Sequence, residues 1–185
     1  MNRKHISVMQ PAFVDVETSG LEPTIHDIVE IAIIHPERGE WSSKVRLDSG
    51  AVVQQRALEV NGYRESEWSS APTLEAIADD ICHMLNEVII VAHNIAFDMA
   101  FIEYALRRRG KSTTNVSRYR MDTMMLAYEH LVPQGLSRLS LDAICDFLGI
   151  SNEGNHRALQ DARRCKMVYE KLMRSPIQLQ MFGKG

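Results

Sequence analysis

The sequence has few cysteines, and they do not form a metal-binding or disulfide pattern. There are three cysteines, Cys82, Cys145 and Cys165, and no two of them form a C-x-x-C pair. An odd, scattered set argues against a zinc ribbon or a disulfide scaffold and fits a reducing compartment. No run approaches the roughly 20 apolar residues of a membrane span, and no apolar segment follows the basic start MNRKHISVMQP. We therefore expect a soluble, cytoplasmic protein that contacts no membrane.

The chain also lacks an excess of basic residues. Its formal net charge of −3 argues against a nucleic-acid binder that depends on charge alone. The same charge is compatible with an enzyme that contacts phosphate through metal ions, because the protein ligands of such ions are acidic. The length of 185 residues and the apolar fraction of 45% are those of one ordinary globular domain.

Repeats, low-complexity segments and long linkers are absent, so the apolar pattern can be followed along one continuous domain. The pattern predicts strands at residues 12–17, 27–35, 41–47 and 88–92. It predicts helices at residues 73–86, 96–109, 123–131, 141–148 and 158–173. The first three strands suggest an antiparallel meander, and the later alternation of strand and helix predicts an α/β fold with a mixed sheet covered by helices.

Two acidic residues lie close together on the first predicted strand. Asp15 and Glu17 are two positions apart, so both carboxylates project from one face of the strand. Placing two like charges there is costly unless a cation compensates them. For this pair alone, a strand end that faces solvent is an equally good interpretation.

Two further acids favour the cation. Asp98 follows the fourth strand in the first turn of a helix, and Asp161 lies in the first turns of the last helix. Each alone fits an ordinary acid at a helix N-terminus. Together with Asp15 and Glu17 they provide the oxygen ligands that hard divalent ions require. Two such ions about 3.5–4 Å apart would clamp the attacking and leaving oxygens of a phosphodiester displacement.

A histidine near the last acid predicts the remaining chemical role. His156 follows Gly154 and Asn155, so we expect it on the loop that enters the last helix. A histidine that is neutral near pH 7 suits a general base for the attacking water; the alternative is a surface loop histidine. His93 is a second candidate, either in a substrate pocket or as a cap of local backbone.

Three segments resemble the motifs of the DEDDh branch of the ribonuclease H-like 3′→5′ exonucleases. FVDVETSGL at 13–21 resembles D-x-E-T-x-G, HNIAFDMAFI at 93–102 resembles H-N-x-x-F-D, and HRALQDA at 156–162 resembles H-x-x-x-x-D. The resemblance extends from residue 12 to about residue 172. Within the family, the chain is most similar to proofreading exonuclease subunits and domains of bacterial replicative DNA polymerases, because IVEIAII, RMDTMMLAYEHLVP and LSLDAICDFLGIS also match. The resemblance implies a ribonuclease H-like fold, which is a mixed five-stranded sheet flanked by helices.

The resemblance also implies residue roles. The implied ligands of two Mg²⁺ or Mn²⁺ ions are Asp15, Glu17, Asp98 and Asp161, and the implied general base is His156. The implied substrate contacts are Thr18 through its backbone at the 3′-OH, Leu21 as a wedge at the last base, and His93, Asn94 and Phe97 around the nucleotide. Phe97 has a second interpretation, because Phe97 and Phe101 can both pack into a core. Arg163 and Arg164 follow Asp161 closely, and one of them is a candidate contact for a substrate phosphate.

The last ten residues carry a separate short pattern. Residues 1–175 form the predicted exonuclease domain, and residues 176–185 form an extended tail. The tail contains QLQMF, which resembles the pentapeptide with which bacterial replication and repair proteins dock onto the sliding clamp. The implied docking residues are Gln178, Leu179, Met181 and Phe182. The alternative is that the tail folds back onto its own domain.

The leading hypothesis from the sequence is an exonuclease that hydrolyses single-stranded or frayed DNA from the 3′ end and releases 5′-mononucleotides. A first alternative keeps the chemistry and changes the substrate to RNA or short oligoribonucleotides, on which DEDDh enzymes of similar length act, usually as homodimers. A second alternative is a catalytically silent nucleic-acid-binding module. The oligomeric state stays open.

Overall fold

Five strands form a single sheet in the computed structural model of the protein, which describes residues 9–154 and 156–174. The strands are β1 (Pro11–Thr18), β2 (Ile28–His35), β3 (Gly39–Lys44), β4 (Ile89–Ala92) and β5 (Arg120–Asp122). Their order across the sheet is β3-β2-β1-β4-β5. β1, β2 and β3 are antiparallel neighbours, whereas β4 and β5 continue the sheet in parallel. The predicted meander and the mixed five-stranded fold are confirmed.

Helices cover this sheet. They are α1 (Gln55–Val60), α2 (Glu65–Trp68), α3 (Leu74–Met84), α4 (Ile95–Arg108), α5 (Thr123–Leu131), α6 (Leu141–Leu148) and α7 (Ala158–Arg174). The five predicted helices correspond to α3 through α7 and agree within two residues at each end. The Thr73 hydroxyl caps α3 by accepting the Ala76 N–H, and Gly149 ends α6 in a left-handed conformation with φ 64°. α1, α2 and β5 were not predicted.

The two faces of β1 pack against different helices. Val14 and Val16 lie in a core cluster with apolar residues of α3 and α4. Phe13 points the other way and lies in a cluster with Ala158 and Ala162 of α7. Since side chains alternate along a strand, residues at odd positions of β1 lie on the face that α7 covers.

The part of the chain between β3 and α3 closes the outer side of the sheet. Trp68 of α2 is only 1% exposed, and its indole N–H donates to the Val29 carbonyl at 2.7 Å.

The predicted tail segment with Gln178, Leu179, Met181 and Phe182 lies outside the described residues. Among the residues that are described, no helix has the length and hydropathy to cross a bilayer.

The turn after β1 requires a glycine because of a buried imidazole. A Cβ atom added to Gly20 would lie 2.2 Å from Cδ2 of His26. His26 is 5% exposed, and its Nδ1 accepts the Glu22 N–H at 3.1 Å. The ring therefore has little room to move away. The glycine of the D-x-E-T-x-G segment is thus explained by this close approach.

Gly20→Ala should lower the free energy of unfolding by about 1–3 kcal/mol, because the added methyl group overpacks the contact with His26. Urea titration followed by circular dichroism measures this change. In a His26→Ala background the same substitution should cost much less. Equal costs in the two backgrounds would show that the imidazole is not the obstacle.

Candidate active site

Three carboxylates converge where β1 ends and α7 begins. Asp15, Glu17 and Asp161 each offer an oxygen atom, and these atoms all lie within 4.8 Å of one another. Asp15 and Glu17 share the face of β1 that α7 covers, and Asp161 lies in the first turns of α7. We call these three side chains the acidic cluster. The structure thereby brings together residues that are far apart in the sequence.

Asp98 approaches the same strand from α4, although its carboxylate is not among the oxygens that lie within 4.8 Å of one another. β4 pairs with β1 only as far as Phe13, and beyond that point the Val16 N–H donates to Asp98 Oδ1 at 3.1 Å. Asp98 is 3% exposed, and its charge helps to raise the pKa of Asp15. The fourth predicted carboxylate is therefore electrostatically coupled to the acidic cluster.

His156 lies on the loop before α7, as predicted. Its backbone has φ 61°, a left-handed conformation that few residues other than glycine adopt. The His156 N–H donates to Asp161 Oδ2 at 3.2 Å, and the side chain is exposed. This bond holds the imidazole residue next to the acidic cluster while its ring faces solvent.

The residue after this histidine anchors the same loop to the sheet. Arg157 donates from Nε to Glu30 Oε2 at 3.0 Å and from Nη2 to Oε1 at 3.4 Å. Glu30 lies directly across the sheet from Glu17 and is 5% exposed. Sequence reasoning missed this pair, although one acid within the apolar run IVEIAII was a usable signal, because a buried charge requires a partner.

Arg164 also points inward, onto the acidic cluster. Its Nε and Nη2 donate to Asp161 Oδ1 at 3.1 and 2.6 Å, and its Nη1 donates to Asp142 Oδ1 at 2.7 Å. Arg163 instead pairs with Glu40 of β3 on the exposed surface. Both guanidinium groups bind carboxylates in the folded chain, and the expected contact of one of the two arginines with a substrate phosphate stays a prediction.

A loop and a short helix form a wall beside the end of β1. The Ser19 carbonyl accepts the Gln54 N–H at 2.7 Å, and the Thr18 carbonyl accepts the Asn61 side-chain amide at 3.1 Å. These bonds tie residues 51–61, which we call the cleft wall, to the turn that carries Leu21. Leu21 is 72% exposed and is therefore accessible to a ligand, whereas Thr18 is buried. The sequence pattern did not indicate the cleft wall.

His93, the first of three predicted nucleotide contacts, is engaged by the protein itself. His93 is half-buried, with Nε2 2.9 Å from the Leu139 carbonyl and Nδ1 3.2 Å from Thr123 Oγ1. Both partners are distant in the sequence, so the imidazole does not cap local backbone, and its contact with a nucleotide stays a prediction. Phe97 is also half-buried and packs against the core, with its ring centroid 4.9 Å from that of Phe101. Its core interpretation is therefore supported.

Asn94 occupies the left-handed position before α4, with φ 64°, and its side chain is exposed. The Asn94 and Ile95 N–H groups donate to the two oxygens of Asp122 at 3.1 and 3.2 Å. The same carboxylate accepts the Met124 N–H at 2.8 Å. Asp122 therefore binds the first N–H groups of both α4 and α5.

The pKa values of Asp15, Glu17 and Asp98 are shifted toward the protonated forms. Burial, followed by the charge of Asp161, raises the pKa of Glu17 to about 8. Burial also raises the pKa of Asp98 to about 8. The pKa of Asp15 is raised well above its ordinary value, first by burial and then by the charge of Asp98. Several acids that repel one another in a partly buried site form a suitable set of oxygen ligands for hard divalent cations.

In the presence of a chelator, the melting temperature should fall as the pH rises from about 5 to 8.5. The pKa values of Glu17 and Asp98 are about 8 in the folded protein and about 4 in an unfolded chain. The folded state therefore retains protons that the unfolded chain has released. This contribution to stability is fully present below the unfolded pKa and is lost as the pH rises through the folded pKa.

Glu17→Gln should make the decline with pH shallower, and differential scanning calorimetry at several pH values would measure it. Asp79→Asn is a matched control, since Asp79 is exposed and pairs with Lys111 on the surface. Identical pH slopes in the two variants would contradict the electrostatic explanation.

Comparisons with known proteins agree with this geometry. A family model described as exonuclease, of the RNase T type, matches residues 12–169. The PolC-type DNA polymerase III of Clostridium perfringens is 30% identical over 151 residues, which are 80% of this chain and 10% of the polymerase. The DNA polymerase III subunit epsilon of Aquifex aeolicus is 26% identical over 163 residues, covering 86% of this chain and 78% of that subunit. This chain thus spans about a tenth of the length of the PolC-type relatives.

Solved structures of exonuclease I share the fold. One superimposes with a TM-score of 0.78 at 20% identity and covers 89% of this chain and 40% of exonuclease I. Another, E. coli exonuclease I in complex with a dT13 oligonucleotide, gives a TM-score of 0.76 at 17% identity, with 89% and 40% covered. The family match spans most of the chain and contains all five residues of the D-E-D-D-h set. The chain therefore belongs to the exonuclease family.

Proposed function

We propose that the protein hydrolyses DNA from the 3′ end in a reaction that depends on divalent metal ions and releases 5′-mononucleotides. The observation that carries this proposal is the acidic cluster, with Asp98 bound to the end of β1 and His156 bound to Asp161. DNA is favoured as substrate because the relatives are DNA polymerase III proteins and exonuclease I has been crystallised with a DNA oligonucleotide. Proofreading, repair and end trimming all fit this activity. The cytoplasmic location expected from the sequence stays a prediction.

Asp15, Glu17, Asp98 and Asp161 are the residues that would hold two Mg²⁺ or Mn²⁺ ions. When bound, such ions supply positive charge to the phosphate and lower the pKa of the attacking water. Their charge would also favour the ionised forms of Glu17 and Asp98, whose pKa values are raised mainly by burial.

His156 is proposed as the general base. Its exposed ring can approach a scissile phosphate, while its backbone N–H fixes the residue to Asp161. The ion pair of Arg157 with Glu30 restrains the next residue of the loop. A base that accepts a proton must be held within hydrogen-bond reach of it, and these two contacts limit where the ring can travel.

The terminal nucleotide would lie between Leu21 and the start of α4. Leu21 provides an exposed apolar side chain beside the cleft wall and is suited to contact the last base. Thr18 lies at the end of β1, where its backbone is proposed to meet the 3′-OH. Asn94 precedes the first residue of α4, and Phe97 lies in its first turn together with Asp98. Both are proposed to line the nucleotide.

The function is tested by incubating 5′-labelled DNA and RNA oligomers with the protein and Mg²⁺ or Mn²⁺. DNA with a free 3′-OH should shorten one nucleotide at a time, and EDTA should stop the reaction. Asp15→Asn should reduce the rate by at least about three orders of magnitude, because a carboxylate central to the cluster is lost. Asp79→Asn, an exposed aspartate, should retain full activity. Degradation of RNA alone would favour the oligoribonuclease alternative, and absence of any degradation would favour the silent binding module.

His156→Ala should lower the rate constant by about two to four orders of magnitude, because general-base assistance is lost. Mn²⁺ binding, followed by electron paramagnetic resonance, should survive, since the side chain is not among the proposed ligands. His83→Ala, an exposed histidine in the last turn of α3, serves as the matched control. Wild-type rates in His156→Ala would contradict the assignment of the base.

Residues 176–185 are proposed to dock onto a bacterial sliding clamp through Gln178, Leu179, Met181 and Phe182. The support is the QLQMF pattern, in which three apolar side chains and a glutamine match the chemistry of an apolar groove with a polar rim. A pull-down with purified clamp should recover the intact chain and lose a chain that ends at Pro176. Equal recovery of both would refute the proposal.

A further inference from the structure

Arg164 is a charged side chain inside the protein, with 3% of its surface exposed. Besides its bonds to Asp161, its Nη1 contacts Asp142 Oδ1 at 2.7 Å and Asn152 Oδ1 at 2.5 Å. A buried guanidinium is stable only when its donors are satisfied by partners of this kind. Arg164 therefore connects α7, α6 and the loop between them at the edge of the acidic cluster.

Its bonds determine which part of Asp161 remains open to a cation. A carboxylate offers about four lone-pair positions. Arg164 donates twice to Asp161 Oδ1, and the His156 N–H donates once to Oδ2. Among the bonds of residues 9–154 and 156–174, what remains is one position on Oδ2, so a cation would bind this carboxylate through that oxygen.

The same bonds place a positive charge against one carboxylate of the acidic cluster. Arg164 partly neutralises Asp161 before any ion arrives, because Nε and Nη2 both donate charge-assisted hydrogen bonds to the same oxygen, Oδ1, at 3.1 and 2.6 Å. Asp142 opposes this effect by sharing the guanidinium charge. Its side chain is 45% exposed, so its influence on Arg164 is weakened by solvent.

We propose that Arg164 is a positioning residue that serves as a permanent counter-ion of the acidic cluster. It holds Asp161 in its ligand orientation in the metal-free protein, and it lowers the affinity of the site for divalent ions. The inference rests on the proposed function, since it concerns metal binding by these carboxylates. It predicts that Mn²⁺ binds more tightly when the Arg164 guanidinium is removed and more weakly when the Asp142 carboxylate is removed.

The direct test replaces Arg164 with methionine, which keeps much of the aliphatic stem. Mn²⁺ affinity, measured by electron paramagnetic resonance without substrate, should become about tenfold tighter or more, because the competing charge is gone. In EDTA the melting temperature should fall by about 5 °C or more, since Asp161 and Asp142 lose a buried partner. Saturating Mn²⁺ should recover much of this loss, as linkage requires for a tighter ligand.

Arg163→Met is the matched control, because Arg163 is the adjacent residue and pairs with Glu40 on the surface. It should leave both Mn²⁺ affinity and the melting temperature in EDTA close to wild type. Mn²⁺ affinity of Arg164→Met that equals or falls below that of Arg163→Met would overturn the inference.

A second variant decides the question even if Arg164→Met does not fold. Asp142→Asn leaves the whole guanidinium charge to Asp161, so Mn²⁺ binding should weaken by about twofold to tenfold. Asp146→Asn, on the same helix but bonded to Asn152 and not to Arg164, is its control. Unchanged or tighter binding in Asp142→Asn would overturn the inference. Wild-type protein that binds no Mn²⁺ would overturn the proposed function as well, whereas wild-type binding without these shifts overturns the counter-ion role alone.

Discussion

The repulsion among carboxylates at one end of the sheet is the constraint on which the rest of this structure depends. Asp15, Glu17 and Asp161 are held within 4.8 Å, and Asp98 lies against the same strand end. Such an arrangement is unfavourable in isolation, because burial raises the pKa values of Asp15, Glu17 and Asp98, and neighbouring carboxylates add to the shift for Asp15 and Glu17. It persists because β1 is fixed between β2 and β4 and because α7 packs across its face. The strand pairing and the packing of α7 therefore hold the carboxylates together at one end of the sheet.

Two arginines partly neutralise the negative charge of these carboxylates and their neighbours. Arg157 pairs with Glu30, whose charge would otherwise add to that of Glu17, and Arg164 pairs with Asp161. Both belong to the segment around the start of α7, close to His156. The loop before α7 therefore carries a candidate base together with part of the electrostatic support of the carboxylates. Under the proposed mechanism, this one short segment would serve both the metal ligands and the transfer of the proton.

Much of the fold and of the site was accessible from the sequence because the signals were local. The spacing of Asp15 and Glu17 placed both on one face of a strand, and strong apolar periodicity gave α3 through α7 nearly to the residue. α1, α2 and β5 were missed because they are three to six residues long, and elements of that size depend on tertiary contacts such as the Trp68 bond to Val29. The inward orientation of Arg164 was equally inaccessible, since it depends on Asp142 and Asn152, which approach it only in the folded chain.

The carboxylate of Asp122 links two helices that otherwise belong to different parts of the molecule. Because it binds N–H groups at the start of α4 and of α5, these two helix ends share a single pivot at the end of β5. α5 packs with α6 and α7 in a satellite core, while α4 carries Asp98. Loss of the Asp122 carboxylate would therefore leave N–H groups at the starts of both α4 and α5 without this acceptor.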